Sequence, residues 1–264
     1  MSGRGELAVA VLGHGAIGSV VAYALHTGQV PGAGLAAVVD PCPPPPPLPA
    51  ASLDQAIDRA DLVVECAGQD ALRTAGRAVV AAGRDLLAVS TGALADAALH
   101  RDLLAGPGRL RLCAGAIGGL DVLAAAARAE AFDRVTIRTT KAPDALLRPW
   151  MDEDQVARLR AAAAPVEVMR GFAREVTRAF PATSNVAASV ALAVGDWDVV
   201  EAVVVADPAA SVSRHEIEAR GPAGRYRFEV ANRPSPDNPR TSGVVPHAVL
   251  RAVEVLAGAT GRFA

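Results

Sequence analysis

Aromatic residues are scarce in this chain of 264, at 3%, and lysine is almost absent: Lys141 is the only one, so nearly every cation is an arginine. Cysteine is sparse as well. Cys42, Cys66 and Cys113 are too few and too scattered for a disulfide framework or a C-x-x-C metal site, and a reducing cytoplasm is the natural setting. A basic surplus is missing, since 26 Lys and Arg face 28 Asp and Glu for a net charge of −2. Neutralising a phosphate backbone needs a basic surface, so no nucleic-acid partner is expected. No apolar run approaches the roughly 20 residues of a membrane span, so no membrane partner is expected either. Residues 1–6 lack the basic and apolar regions of a secretory signal. Also absent are H-E-x-x-H, G-x-S-x-G, a Walker loop and an acidic metal cluster, and no metal is expected.

What remains is 51% hydrophobic, mostly Ala and Val, enough for a sizeable core. Short apolar runs at 7–12, 35–39, 62–66, 86–90 and 110–114 alternate with helical stretches at 16–26, 52–60, 70–82, about 94–105 and about 120–131. Ser52 and Gln55 have capping-box spacing, and Gly83 closes the third helix. Continuous apolar strands between helices predict an α/β fold, a Rossmann-type doubly wound parallel sheet over residues 1–115. The second half has another texture. Runs at 135–140, 166–169, 199–206, 212–219 and 226–231 read as strands, and 152–164, 183–194 and 245–257 as helices. The last three strands follow one another too closely for intervening helices and are expected to be antiparallel. This predicts a second, α+β domain of mostly antiparallel sheet over 116–242, with a final helix, about 243–264, packing back on the first. A bare antiparallel sheet favours burial against a second copy, so a homodimer or higher homo-oligomer is expected. The proline-rich stretch 41–49 falls inside the βαβ pattern and reads as a loop.

The strongest local signal is Gly13-His14-Gly15-Ala16-Ile17-Gly18, directly after the first strand and opening a helix. Gly13 permits the tight turn, Gly15 lets a pyrophosphate approach the backbone, and Gly18 lets helix and strand pack closely. The N–H groups of this segment, through Ala16 and Ile17, face the anion. Asp40 ends the second strand about 20 residues on, where a carboxylate binds ribose hydroxyls. It repels a 2′-phosphate, and the following Pro41-Cys42-Pro43 offers no arginine for one, so NAD is favoured with NADP possible. His215 alternates onto the face of Ser213, Ile217 and Ala219, away from Arg214, Glu216 and Glu218. Residue type alone leaves it open as a sheet-face histidine or an acid/base group. Asn185, near a helix start, is a cap or a ligand contact. Arg240, Thr241 and Ser242 before the last helix form either a carboxylate site or an ordinary helix start. Lys141 is a stray surface cation or a compact ammonium retained for substrate.

Several segments together resemble the L-aspartate dehydrogenase family: V-L-G-H-G-A-I-G at 11–18, V-V-E-C-A-G at 63–68, S-T-G-A-L-A-D at 90–96, A-G-A-I-G-G-L-D at 114–121, G-F-A-R-E at 171–175, F-P-A-T-S-N-V-A-A-S-V-A-L-A at 180–193, R-H-E-I at 214–217 and N-P-R-T-S at 238–242. The resemblance implies an N-terminal Rossmann domain, an α+β catalytic domain, and NAD(P)-dependent oxidative deamination of L-aspartate. The product forms through iminoaspartate and becomes oxaloacetate and ammonia, with a link to NAD biosynthesis. It implies His215 as the active-site histidine and Ala116 and Asn185 as NAD contacts. The five prolines at 43–47 and the Cys-Ala-Gly at 66–68 depart from the family pattern. A neutral His215 suits proton transfer, with the rate expected to rise through a pKa near or above neutrality. The rival readings are a homoserine dehydrogenase-like or dihydrodipicolinate reductase-like enzyme and a non-catalytic NAD(H) sensor.

Overall fold

The computed structural model describes residues 5–181, 185–236, 238 and 241–258. The chain divides into two compact units, Met1–Gly115 with Val245–Ala264, and Ala116–Val244.

In the first unit β1 (Leu7–Leu12), α1 (Gly18–His26), β2 (Ala33–Val39), α2 (Leu53–Arg59), β3 (Leu62–Glu65), α3 (Gln69–Ala81), β4 (Asp85–Ala88), α4 (Ala97–Ala105) and β5 (Leu110–Leu112) alternate along the chain. The five strands pair in parallel, in the order β2-β1-β3-β4-β5. Winding reverses between β1 and β3, which opens a crevice at their carboxyl ends. Val9, Ala10, Val11 and Val64 are wholly buried, because both faces of the sheet carry helices. Consecutive apolar residues are therefore favoured over alternation, each large side chain contributing about 1.5–3 kcal/mol of burial. Ser52 and Gln55 form a reciprocal capping box on α2, with Ser52 Oγ accepting from Gln55 N–H at 3.2 Å. The fourth helix starts later than the sequence suggests. A 3₁₀ turn occupies Thr91–Ala95, and Asp96 then caps α4 by accepting from Ala98 and Leu99 N–H at 2.9 and 3.2 Å.

The second unit contains α5 (Leu120–Ala129), β6 (Arg134–Lys141), α6 (Pro143–Leu146), α7 (Glu153–Arg160), β7 (Val166–Phe172), α8 (Ala173–Ala179), α9 (Asn185–Val194), β8 (Val200–Ala206), β9 (Ser213–Gly221) and β10 (Gly224–Asn232). Its sheet order is β10-β9-β6-β8-β7. All neighbours are antiparallel except β6 and β8. The last three strands do alternate in direction, but β8 and β9 are not partners. β6 lies between them, because a strand from earlier in the chain fills the centre of the sheet. The short α6 and α8 span too few residues to show a helical period in the sequence. Val135, Ile137, Ile217 and Ala219 turn one face of the sheet into the core, where Leu123, Phe180 and Val190 cover them. The opposite face is charged. Arg134 reaches Glu201 at 3.3 Å and Arg170 reaches Glu167 at 2.7 Å, exposed pairs that each contribute about 0–1 kcal/mol. The final helix, α10 (Val245–Leu256), packs against α1 in the first unit. Among the described residues no helix is long and apolar enough to cross a membrane.

Candidate active site

The turn after β1 is built from three glycines with different reasons to be glycine. Gly13 has φ +96°, and a Cβ there would lie 2.7 Å from the Ala67 backbone. A Cβ on Gly18 would lie 1.9 Å from the Gly13 carbonyl oxygen. Both are required by the protein's own packing. Gly15 has neither constraint: its φ is not positive, and nothing lies within 4 Å of where its Cβ would be. The protein's own packing does not demand glycine at position 15, and its backbone is open to an approaching group. Ala16 and Ile17 continue into α1, which has no side-chain cap, so its N-terminal end presents the positive pole of a helix dipole.

Asp40 ties this loop to the end of β2. Its Oδ2 accepts from His14 N–H at 2.6 Å and its Oδ1 from Cys42 N–H at 2.9 Å. Each oxygen retains a second lone pair for a ribose hydroxyl. Gly13, Gly15, Asp40, Cys66, Ala67 and Thr74 border a cavity of about 640 Å³, within the size range of a cofactor pocket. These residues fit a dinucleotide: an anion-binding turn, an open backbone approach and a hydroxyl acceptor stand round one space.

Sequence reasoning passed over Glu65, at the end of β3. It is wholly buried, yet four donors converge on it: Ala67, Gly68 and Ser90 N–H and Ser90 Oγ, at 2.8–3.0 Å. Burial pushes its pKa up while these hydrogen bonds oppose the rise. It fixes the two loops that follow β3 and β4. The signal was present, as an acid closing an otherwise apolar run. Burial pushes the neighbouring Cys66 thiol well up, with Glu65 and Cys113 adding to the rise; such a thiol is unreactive.

In the second unit, β6 and β9 place His215 opposite Thr139. His215 is 3% exposed, and its Nδ1 lies 3.1 Å from Thr139 Oγ1. Lys141 follows Thr139 by two residues and so shares its face of the strand. It is buried, which overturns the stray-surface reading of this lysine. Desolvation, and then the Arg148 charge, push Lys141 down to about 8. Desolvation, followed by the Lys141 charge, pushes His215 down to about 3. The expected imidazole pKa near or above neutrality is therefore corrected. A buried ring beside an ammonium resists a second positive charge, and His215 is neutral throughout the physiological range. Lys141, Asp144, Ser211, Ser213, Pro234 and Asn238 border a cavity of about 520 Å³.

Ala116 is half-buried, and its carbonyl accepts from Asn232 Nδ2 at 2.8 Å. Asn185 opens α9 and is half-buried. Thr241 and Ser242 pack on residues 234–235: Ser235 N–H donates to the Thr241 carbonyl at 2.7 Å, and Ser242 bridges Pro234. Arg240 lies outside the described residues. Among the described residues no group of three His, Cys, Asp or Glu is placed to hold a metal.

The two halves of the chain match different family models. Residues 13–106 match the NAD binding domain of homoserine dehydrogenase, and residues 121–256 match the C-terminal domain of aspartate dehydrogenase. The chain is 41% identical over 210 residues to an L-aspartate dehydrogenase of Ruegeria pomeroyi, covering 77% of this chain and 74% of that one. It is 32% identical over 269 residues to an L-aspartate dehydrogenase of Methanosarcina mazei, covering 95% and 96%. The crystal structure of aspartate dehydrogenase from Thermotoga maritima shares the fold, with a TM-score of 0.75 over 98% of this chain and 99% of that one at 24% identity. The homoserine dehydrogenase likeness is confined to the nucleotide-binding half, which supports a nicotinamide cofactor, while the half carrying His215 and Lys141 decides the family: the chain belongs to the aspartate dehydrogenases.

Proposed function

We propose that the protein is an NAD-dependent L-aspartate dehydrogenase, oxidising L-aspartate to iminoaspartate, which water converts to oxaloacetate and ammonia. The observation that carries the reading is that His215 and Lys141, both buried, lie on one face of the second sheet, where a proton acceptor and a cation for a carboxylate stand together. Bound nicotinamide supplies the acceptor for the Cα hydride. Gly13, Gly15, Ala16, Ile17 and Gly18 hold the pyrophosphate, and Asp40 receives the ribose and disfavours a 2′-phosphate, which selects NAD over NADP. Ala116 and Asn185 contribute further cofactor contacts.

His215 takes the amine proton as the C=N bond forms, and Lys141 receives a substrate carboxylate. The two roles are coupled. The Lys141 charge helps to depress the basicity of His215, so a carboxylate that neutralises this charge raises it on binding. The base is thus weak in the empty site and stronger once a carboxylate has arrived. Arg240, Thr241 and Ser242 are assigned to the second carboxylate. A soluble, cytoplasmic homo-oligomer supplying the early steps of NAD biosynthesis belongs to the same reading.

The test is a panel of L-aspartate, L-glutamate, L-alanine and L-malate, followed by NADH absorbance. L-Aspartate is expected to turn over orders of magnitude faster than the others, because unmatched polar groups in a site are costly. Comparable turnover of L-alanine removes the dicarboxylate assignment, and NADH binding without turnover of any of the four points to a sensor.

A further inference from the structure

The backbone of His215 sits in the sheet between Thr139 of β6 and Val230 of β10. Its Nδ1 is 3.1 Å from Thr139 Oγ1, and both residues are buried. A neutral imidazole has one N–H and one bare nitrogen, and the bond made by one nitrogen decides what the other can do. If the threonine hydroxyl donated to Nδ1, the ring proton would sit on Nε2 and no basic nitrogen would remain for substrate. If Nδ1–H donates to Oγ1, Nε2 is bare. Both arrangements satisfy the distance, but only the second leaves His215 a base.

We propose that Thr139 is a positioning residue of the reaction: its hydroxyl oxygen accepts from His215 Nδ1–H, fixes the ring and its tautomer, and leaves Nε2 as the nitrogen that takes the substrate's proton. This rests on the reading of His215 as the base. The β-branched side chain suits the task, because its χ1 is stiff and holds the oxygen in place. The same bond persists when Nε2 is protonated, since both ring nitrogens of the imidazolium are donors. No group has to reorient during the step.

Thr139→Val keeps the shape and removes the oxygen, whereas Thr139→Ser keeps the oxygen. The valine variant is expected to lose about 10- to 100-fold in kcat, part of the 10²–10⁴-fold that a general base supplies. KM for L-aspartate and NADH affinity are expected to stay unchanged, and the serine variant to recover most of the rate. His215→Ala is assayed beside them. Wild-type turnover in His215→Ala overturns the base and Thr139's role with it. A slow His215→Ala beside a fast Thr139→Val overturns the role of Thr139 alone. Nitrogen-15 spectra of the wild-type ring keep the proposal testable if the valine variant fails to fold. A single neutral tautomer with the proton on Nδ1 is expected, and an Nε2–H tautomer or an average of the two refutes the assignment.

Discussion

Gly15→Ala separates what the protein needs from what its cofactor needs. No atom lies within 4 Å of the position a Cβ would take at residue 15, and the backbone angle there is not in the left-handed region. The substitution therefore costs the free protein nothing, and by restricting the unfolded chain it adds about 0.4–1 kcal/mol of stability. A pyrophosphate resting on this turn meets the new methyl group. Displacing it from one charge-assisted hydrogen bond costs about 1.5–3 kcal/mol, equivalent to roughly a 10- to 150-fold loss of affinity. Gly18→Ala behaves differently. Its Cβ starts 1.9 Å from the Gly13 carbonyl oxygen, so the turn must shift by about 1 Å even without cofactor, against a close-packed interior. Thermal melts without cofactor and calorimetric NADH titrations measure the two effects separately. Gly15→Ala should melt at or slightly above wild type and bind NADH at least about tenfold more weakly. Gly18→Ala should lose both stability and binding. Wild-type NADH affinity in a folded Gly15→Ala protein would refute the placement of the pyrophosphate on this turn.

Acid sensitivity follows from His215. Its folded pKa of about 3 lies below the ordinary 6.5, so the unfolded chain takes up a proton that the folded chain refuses. Stability is fully present above pH 6.5 and falls by about 1.4 kcal/mol per unit as the pH drops toward 3. Denaturant melts at pH 6 and pH 4 should show His215→Ala losing less stability than wild type over this interval; parallel losses would show that the ring is not held neutral. Lys141, pushed down from 10.5 to about 8, opposes folding by about 3 kcal/mol at pH 7, a cost that disappears as the pH rises to 10.5. Lys141→Met should therefore raise the melting temperature while raising KM for L-aspartate about tenfold or more, and an unchanged KM would remove Lys141 from the substrate site. Asp40→Asn should lower the NAD-to-NADP affinity ratio by about tenfold or more by relieving repulsion of the 2′-phosphate; a wild-type protein that already prefers NADP contradicts the assignment.

Some features of this protein are local and can be read along the chain. Two-sided burial makes the inner strands β1 and β3 of the first sheet nearly continuous apolar runs, and one-sided burial makes β9 alternate, which put His215 on the same face as Ile217 and Ala219. The spacing Gly13, Gly15, Gly18 and the acid at Asp40 follow from one turn and one strand end, and Ser52 with Gln55 from a single turn of α2. Their neighbours are fixed by backbone geometry within a few residues.

Tertiary structure decided what depends on partners distant in sequence. β6 enters between β8 and β9, so Thr139 meets His215 across 76 residues, a pairing that alternation within either strand cannot specify. Lys141 reads as an ordinary cation until burial removes its water and lowers its pKa. Glu65 reads as a strand-end acid until Ser90, on the loop after the neighbouring strand, supplies two of its four hydrogen bonds. Periodicity tells each strand which side faces inward. Only closure of the sheet determines which groups share that interior, and desolvation together with neighbouring charge then sets their chemistry.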